Sequence, residues 1–362
     1  MKKVFIVYAS AGAGHQKAAE AVYEYLRKTR NDLDLKLIDI LDYSNSIVKF
    51  LYSKGYIFLI SKLPWAWYLI YRLSACFADN YFRLILDYLA CQPFTGLLRK
   101  ERPDVVVSTH FLTSSVISVY KKKYPCHSLR LITVVTDYTL HPYWIGQGVN
   151  RYIASCEHVK DCLLTKKIEK DKIKIYGIPV KEKFYLSLDR KRAAEKLGVD
   201  PERFTALIMT GAIGIGPIEE IVKALAGDIQ LLVICGRNQK LYNRLTKLNL
   251  MNVKIYPLID YVDELMSVSD IVLTKAGGLT ISESLAKTLP MVFFSSIPGL
   301  ETANEKVISK SGAGIKVKSI KEIKSTLFYL KSNSAAYGNI NQKVACLRRA
   351  AVLKDLSMEI LP

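Results

Sequence analysis

Apolar residues along this chain gather into short runs, each closed by glycine or small polar residues. The first run, VFIVYAS (Val4–Ser10), is rich in β-branched and aromatic residues and predicts a buried strand. Ala11-Gly12-Ala13-Gly14-His15 breaks it. Ala18, Ala19, Val22 and Leu26 then recur at helical spacing, so a helix begins near His15. DLKLIDIL (Asp34–Leu41) is a second strand, which makes the opening a βαβ unit of a doubly wound domain. PDVVVSTH (Pro103–His110), LRLITVVTDY (Leu129–Tyr138), RYIASCE (Arg151–Glu157) and KIKIYGIPV (Lys172–Val180) continue a parallel set. Thr109, His110, Thr136 and Asp137 lie at the carboxyl ends of these runs, with His141, Pro142 and Trp144 just beyond. Open α/β sheets bind ligands at that end.

The second half repeats the logic after a junction at Gly177-Ile178-Pro179. FTALIMTG (Phe204–Gly211) runs into a glycine turn ending at Gly216, and IQLLVICG (Ile229–Gly236) ends at Arg237 and Asn238. VKIYPLI, DIVLT and PMVFFSS are further strands. The pattern predicts an α/β chain of two doubly wound domains facing across a cleft. Residues 1–178 form the first, residues 179–338 the second, and residues 339–362 a basic C-terminal helix that returns to the first.

The stretch LTKAGGLTISE (Leu273–Glu283) reads as strand, glycine turn and helix. Gly277 and Gly278 permit a turn with positive φ and a close approach by a ligand. The helix start behind them offers unbonded N–H groups and the positive dipole end, suited to phosphate. Glu283, about one turn in, is placed to take both hydroxyls of a ribose. At the chain's other end the dinucleotide fingerprint GxGxxG is incomplete. Gly12 and Gly14 are present but position 17 is lysine, which argues against a nicotinamide cofactor.

Residues 44–78 break the pattern. They hold Lys49, Lys54, Lys62 and Arg72, no acid, and a crowd of aromatics from Phe50 to Phe77 that includes Trp65 and Trp67. No apolar run approaches the about 20 residues of a spanning helix. Cations mixed with tryptophan and tyrosine suit a segment lying in a lipid headgroup layer. The other reading is a helical excursion packed on its parent domain.

Composition sharpens this picture. Lys+Arg 52 against Asp+Glu 33 in 362 residues gives a net charge of +19, which favours an anionic partner. Nucleic acid is excluded as that partner, because the cations form no compact run and no nucleic-acid motif appears. Seven cysteines without a CxxC pair point to a reducing compartment and away from zinc. The apolar start after Met1 is read as a strand, not as a targeting segment.

Five stretches carry a resemblance: SAGAGHQKAA (10–19), TDYTLHPYW (136–144), CGRN (235–238), TKAGGLTISE (274–283) and PGLETAN (298–304). In order and spacing they resemble the diacylglycerol glycosyltransferases and, more distantly, the peptidoglycan N-acetylglucosaminyltransferase. The resemblance implies a GT-B fold, a UDP-glucose or UDP-galactose donor in the second domain and a diacylglycerol acceptor on the first. It also implies inversion at the anomeric carbon with no metal ion and no cofactor. The first glycine turn of the second domain, Thr210–Gly216, is poorer in glycine than the family's pattern.

Within that resemblance His15 is the first candidate for the base that takes the acceptor's proton, since a helix N-terminus disfavours an imidazolium. The ordinary role of such a ring is to cap the helix. Asp137 is the second candidate base, or the group that orients His15; its ordinary role is an N-cap. The amides of Gly277, Gly278 and Leu279 would stabilise the leaving diphosphate. Gly14, Gly211 and Arg237 would join them at the donor, with Glu301 and Asn304 holding sugar hydroxyls or positioning the diphosphate. His141 and Trp144 would shape the acceptor mouth. Trp65, Trp67, Lys54 and Lys62 would dock the protein on an anionic membrane surface, as a peripheral protein at the cytoplasmic face of the cell membrane. A lipid-linked peptidoglycan precursor is the alternative acceptor.

Overall fold

The computed structural model describes residues 1–76, 81–125 and 128–360; Phe77, counted among the aromatics above, lies outside them. Contacts divide the chain into two compact units. One holds residues 1–182, 298–300 and 351–362; the other holds residues 183–297 and 301–350.

The first unit opens with β1 (Lys2–Tyr8), α1 (Ala13–Thr29) and β2 (Leu33–Asp39). A helical run follows: α2 (Ser46–Phe50), α3 (Tyr56–Lys62), α4 (Pro64–Cys76), α5 (Tyr81–Ala90) and α6 (Gln92–Glu101). Then come β3 (Val105–Ser108), α7 (Phe111–Lys123), β4 (Arg130–Val134), β5 (Arg151–Ala154), α8 (Glu157–Thr165) and β6 (Ile173–Ile175). The sheet is parallel, in the order β2-β1-β3-β4-β5-β6. Val4 through Val7 are all buried because helices cover both faces of the sheet. Phe5 and Val7 join Leu112 and Val116 of α7 in one core, while Val4 and Ile6 join Ala19, Val22 and Leu26 of α1 in the other. A strand covered on both faces gives an unbroken apolar run, which is why VFIVY reads so clearly.

The second unit holds α9 (Arg190–Leu197), β7 (Thr205–Met209), α10 (Ile218–Leu225), β8 (Gln230–Ile234), α11 (Gln239–Lys247), β9 (Val253–Tyr256) and α12 (Val262–Ser267). It continues with β10 (Ile271–Thr274), α13 (Gly278–Ala286), β11 (Met291–Phe293), α14 (Leu300–Lys310), β12 (Gly314–Lys316), α15 (Ile320–Ser332) and α16 (Ser334–Leu347). Its parallel sheet runs β12-β11-β10-β7-β8-β9. Strand β12 escapes the sequence pattern because it has three residues, of which only Gly314 is buried. In each sheet the order reverses at one place, between β1 and β3 and between β7 and β10. Crevices at the carboxyl ends of such strand pairs are where doubly wound sheets bind ligands.

The stretch from residue 339 is two helices rather than one. Helix α16 ends at Leu347, Arg348 is extended, and α17 (Val352–Ile360) then packs on the first unit. Leu353, Leu356 and Ile360 enter the core under α1. Glu359 fastens them by accepting from Arg151 Nε at 2.8 Å and Tyr176 Oη at 3.0 Å.

The turn after β7 is shaped by its neighbour after β8. Ala212 carbonyl accepts from Arg237 N at 2.8 Å, and Gly214 carbonyl accepts from Asn238 Nδ2 at 2.9 Å. Gly214 sits at φ +66°, and a Cβ there would lie 2.1 Å from the Cys235 carbonyl oxygen. Gly214 therefore stands where two backbones touch. Gly214→Ala is expected to cost well over about 2 kcal/mol, since left-handed strain of about 1–2 kcal/mol adds to a backbone clash. Gly227→Ala is the control: φ is +87° but nothing lies within 4 Å of a Cβ, so it should cost only the strain. Urea unfolding midpoints compare the two, and equal losses would contradict the clamp.

Candidate active site

In the first unit the site grows from the reversal between β1 and β3. Gly12, at φ 118°, ends the turn after β1 and is the N-cap of α1, which brings Gly14 and His15 into the first helical turn. His15 caps nothing. Its Nδ1 lies 2.8 Å from the Thr109 carbonyl oxygen, just past β3, and 2.8 Å from Thr136 Oγ1, just past β4. Thr109 Oγ1 returns a bond to the His15 carbonyl at 2.9 Å. A carbonyl oxygen only accepts, so Nδ1 carries the proton and the neutral ring presents its lone pair at Nε2.

Burial pushes the His15 imidazole down to about 4, against a smaller upward pull from the Thr109 carbonyl. The half-buried His15 ring is thereby kept neutral. His110 stands edge-on to it with ring centroids 4.6 Å apart, and its own protonation is suppressed by burial and by the neighbouring His15. His110 Nδ1 accepts from Leu112 N at 3.2 Å, which caps α7. Asp137 follows Thr136 directly and is buried; Ser155 Oγ donates to its carbonyl. Its charge and burial together hold the Tyr71 hydroxyl up at about 12, burial being the larger cause.

His141 and Trp144 are both buried. His141 Nδ1 accepts from Tyr143 N at 3.2 Å, and Nε2 lies 3.2 Å from Ser74 Oγ and 3.4 Å from the Tyr71 carbonyl. Both nitrogens are thus engaged in fastening α4 to the turn after β4. Trp144 is 1% exposed and packs in the core beside Phe111, its ring centroid 6.2 Å from that of His15.

In the second unit the site grows from the reversal between β7 and β10. Gly277 is the N-cap of α13 with φ −72°, a value open to any residue, so this turn needs no left-handed glycine. What glycine gives is clearance: a Cβ at Gly277 would meet only Glu301 Oε1, at 3.7 Å. The Gly277 amide already donates to the Lys275 carbonyl at 2.8 Å. The first-turn amides of Gly278, Leu279 and Thr280 are those a helix leaves without internal partners, an arrangement that suits an anion.

Glu283 is buried on the second turn of α13. Asn304 is fully buried, and its Nδ2 donates to the Ala276 carbonyl at 3.2 Å, so it shapes the turn from behind. Glu301 divides its oxygens: Oε1 pairs with Lys275 Nζ and Oε2 accepts from Ile297 N at 2.8 Å. Gly211, at φ +77°, ends β7 with the Lys275 Cε 3.5 Å from where its Cβ would be. Arg237 is exposed on the adjoining turn. Among the described residues no cluster of three or more His, Cys, Asp or Glu is arranged to hold a metal.

Residues 44–76 are helical, and their exposed side is apolar. Phe58, Trp65, Leu69 and Leu73 are exposed, with Lys54 and Lys62 beside them. Trp67 differs: it is half-buried, its ring 5.0 Å from that of Tyr56, and packs inward. Helix α5 also exposes an apolar face, with Phe82, Leu86 and Leu89 at helical spacing. Sequence reading missed that face, although the spacing of Phe82, Leu86 and Leu89 was there to see. It also gave no role to Thr109, Thr136 or Lys275, whose strand-end positions were the available signal. No helix among the described residues is long and apolar enough to cross a membrane.

Comparison with known proteins agrees with this geometry. A family model of monogalactosyldiacylglycerol (MGDG) synthase matches residues 15–180, and the glycosyltransferase family 28 C-terminal domain matches residues 215–335. The processive diacylglycerol β-glucosyltransferase of Staphylococcus saprophyticus is 30% identical over 322 residues, covering 86% of this chain and 80% of the relative. That of Bacillus cytotoxicus is 29% identical over 336 residues, covering 89% and 83%. Among solved structures, Acinetobacter baumannii MurG superposes with a TM-score of 0.62 at 13% identity over 99% of both chains. The S. aureus MnaA–UDP structure superposes with a TM-score of 0.64 at 13% identity over 99% of this chain and 95% of the other. Fold and site thus define a UDP-sugar-dependent glycosyltransferase of the GT-B class, built on two Rossmann-like sheets. The chain belongs to the diacylglycerol glycosyltransferase family, as the sequence motifs implied.

The His15 environment fixes a pH signature. Folded His15 refuses a proton that the unfolded chain accepts, so stability falls as pH drops from the ordinary histidine value of about 6.5 toward about 4. If His15 is the base, kcat/KM should stay level on lowering pH from about 7 to about 5 and fall only nearer to 4. Steady-state rates across that range test this; an acid limb centred near 6.5 would show a solvated, unperturbed ring.

Proposed function

We propose that this protein transfers a hexose from a UDP-sugar to the free hydroxyl of 1,2-diacylglycerol at a membrane surface, with inversion and without a metal ion. The observation that carries the reading is the His15 ring, neutral and fixed with its bare Nε2 as the base at a sheet reversal. Nε2 takes the proton of the acceptor hydroxyl as its oxygen bonds to the anomeric carbon. The bond from that carbon to the β-phosphate oxygen breaks, and its electron pair leaves with UDP. The imidazolium then returns its proton to water. The α13 amides meet the charge that develops on UDP, and Glu283 takes the ribose. Asp137, buried next to Thr136 of the Nδ1 clasp, is the fallback base or the group that orients His15.

The relatives above are named as diacylglycerol glucosyltransferases, which supports diacylglycerol over a peptidoglycan precursor and glucose over galactose for this chain. The apolar side of α3, α4 and α5 supports the membrane: an acceptor with two acyl chains stays in the bilayer, and exposed Trp65 and Phe82 suit the interface. Lys54 and Lys62 favour anionic lipid, each cation near such a surface contributing about 1 kcal/mol.

The test is incubation with vesicles of diacylglycerol and anionic phospholipid and either UDP-glucose or UDP-galactose, with and without EDTA. A neutral glucolipid formed equally well in EDTA is the expected product. Label in a pyrophosphate-linked lipid, or activity that EDTA abolishes and magnesium restores, would contradict the reading. The double change Trp65→Ser with Phe82→Ser should lower vesicle binding about a hundredfold or more, at about 1.5–3 kcal/mol for each large apolar group removed. It should spare a short-chain, detergent-dispersed acceptor.

A further inference from the structure

The turn after β10 contains a cation for which the mechanism above has no use. Lys275 is the first residue past β10, and its side chain crosses toward Gly211 at the end of β7. The ammonium therefore lies within the reversal of the second sheet, between the two turns assigned to the donor. Its partner is Glu301 at the start of α14; the side chains are 21% and 10% exposed. Glu301 does not depend on this pair alone, because its Oε2 is anchored by the Ile297 amide at 2.8 Å.

We propose that Lys275 is the counter-charge of the donor diphosphate, stored against Glu301 while the site is empty and handed over when the UDP-sugar binds. This rests on the donor reading given above. Three features support the exchange. The pair is mostly shielded from water, and Glu301 holds the Lys275 ammonium in place while no other anion is present. The lysine is also flexible and unbranched, so its ammonium can move from one oxygen anion to another within the reach of its own stem. Third, a diphosphate on the α13 amides brings more negative charge than one carboxylate and outcompetes Glu301 for the ammonium.

Handing over Lys275 leaves Glu301 Oε1 without its cation while Oε2 stays on the Ile297 amide. The carboxylate is then an acceptor aimed at the same crevice, where a sugar hydroxyl can donate to it. One event thus switches on two contacts: a cation on the leaving group and a carboxylate on the sugar. In the proposed mechanism the cation matters most as the bond to the anomeric carbon breaks, because charge on the β-phosphate rises at that moment. UDP alone recruits the lysine but leaves Glu301 without a hydroxyl partner.

Calorimetry with UDP and with uridine on the whole protein tests this, together with kcat. Lys275→Gln should weaken UDP by about 10–100-fold and uridine by less than about threefold, the scale of a lost charge-assisted bond to phosphate. It should lower kcat by about a hundredfold, with partial return in Lys275→Arg. Glu301→Gln gives the diagnostic opposite sign: UDP should bind tighter, because no pair must be broken, while kcat falls because the sugar contact is weakened. An inert structural pair predicts instead that both variants lose thermal stability and bind UDP alike. UDP affinity unchanged in folded Lys275→Gln, or weakened in Glu301→Gln, would overturn the exchange while leaving the donor reading intact. A parent protein that binds no UDP would overturn both.

Discussion

Each unit's chemistry depends on one topological constraint, the reversal of strand order in a parallel sheet. At a reversal, neighbouring strands send their following loops to opposite faces, so a crevice opens above their carboxyl ends. Between β1 and β3 that crevice receives His15 from one loop and the Thr109 carbonyl from the other. Between β7 and β10 it receives Gly211 from one loop and Lys275, Gly277 and the start of α13 from the other. The helices and apolar strands hold these loop ends in register. Burial of Val4 through Val7 on both faces leaves β1 no freedom to slide, and a one-residue slip would misplace His15.

Electrostatics in the two units follows from burial rather than from assembled charge. His15 remains neutral because a charged ring there would lose its water, and the Thr109 carbonyl then fixes which nitrogen stays bare. Lys275 and Glu301 lie mostly shielded from water and pair with one another. The first unit thereby keeps a neutral imidazole with a carbonyl, not a carboxylate, on its Nδ1, and the second holds an ammonium against a carboxylate. The high net charge of the chain is a separate matter, acting through exposed lysines at long range.

Much of this was legible in the sequence. Buried parallel strands announce themselves as apolar runs, and glycine turns as breaks before helical spacing. The motifs around His15 and Gly277 were accordingly placed on the right elements. Strand order was not legible, because no local pattern records which strands lie side by side. Without it Thr109 and Thr136 were only polar strand ends, and Lys275 only a residue in a turn. The packing of Trp67 and Trp144 was not legible for a related reason: tryptophan suits both an interface and a core, and only the fold shows Trp65 outside and the other two packed. Gly277 permits a positive φ, yet its turn is extended, and of the two properties read from the sequence it is the missing side chain that counts.

The central claim is that His15 is held as a neutral base by its fold. Nitrogen-15 NMR of histidine-labelled protein, with His15→Gln for assignment, reads this directly. The expected result is a ring protonated at Nδ1 and bare at Nε2 near neutral pH, taking its second proton only near pH 4. A ring protonated at Nε2, or one that charges at the ordinary histidine value of about 6.5, would contradict the account.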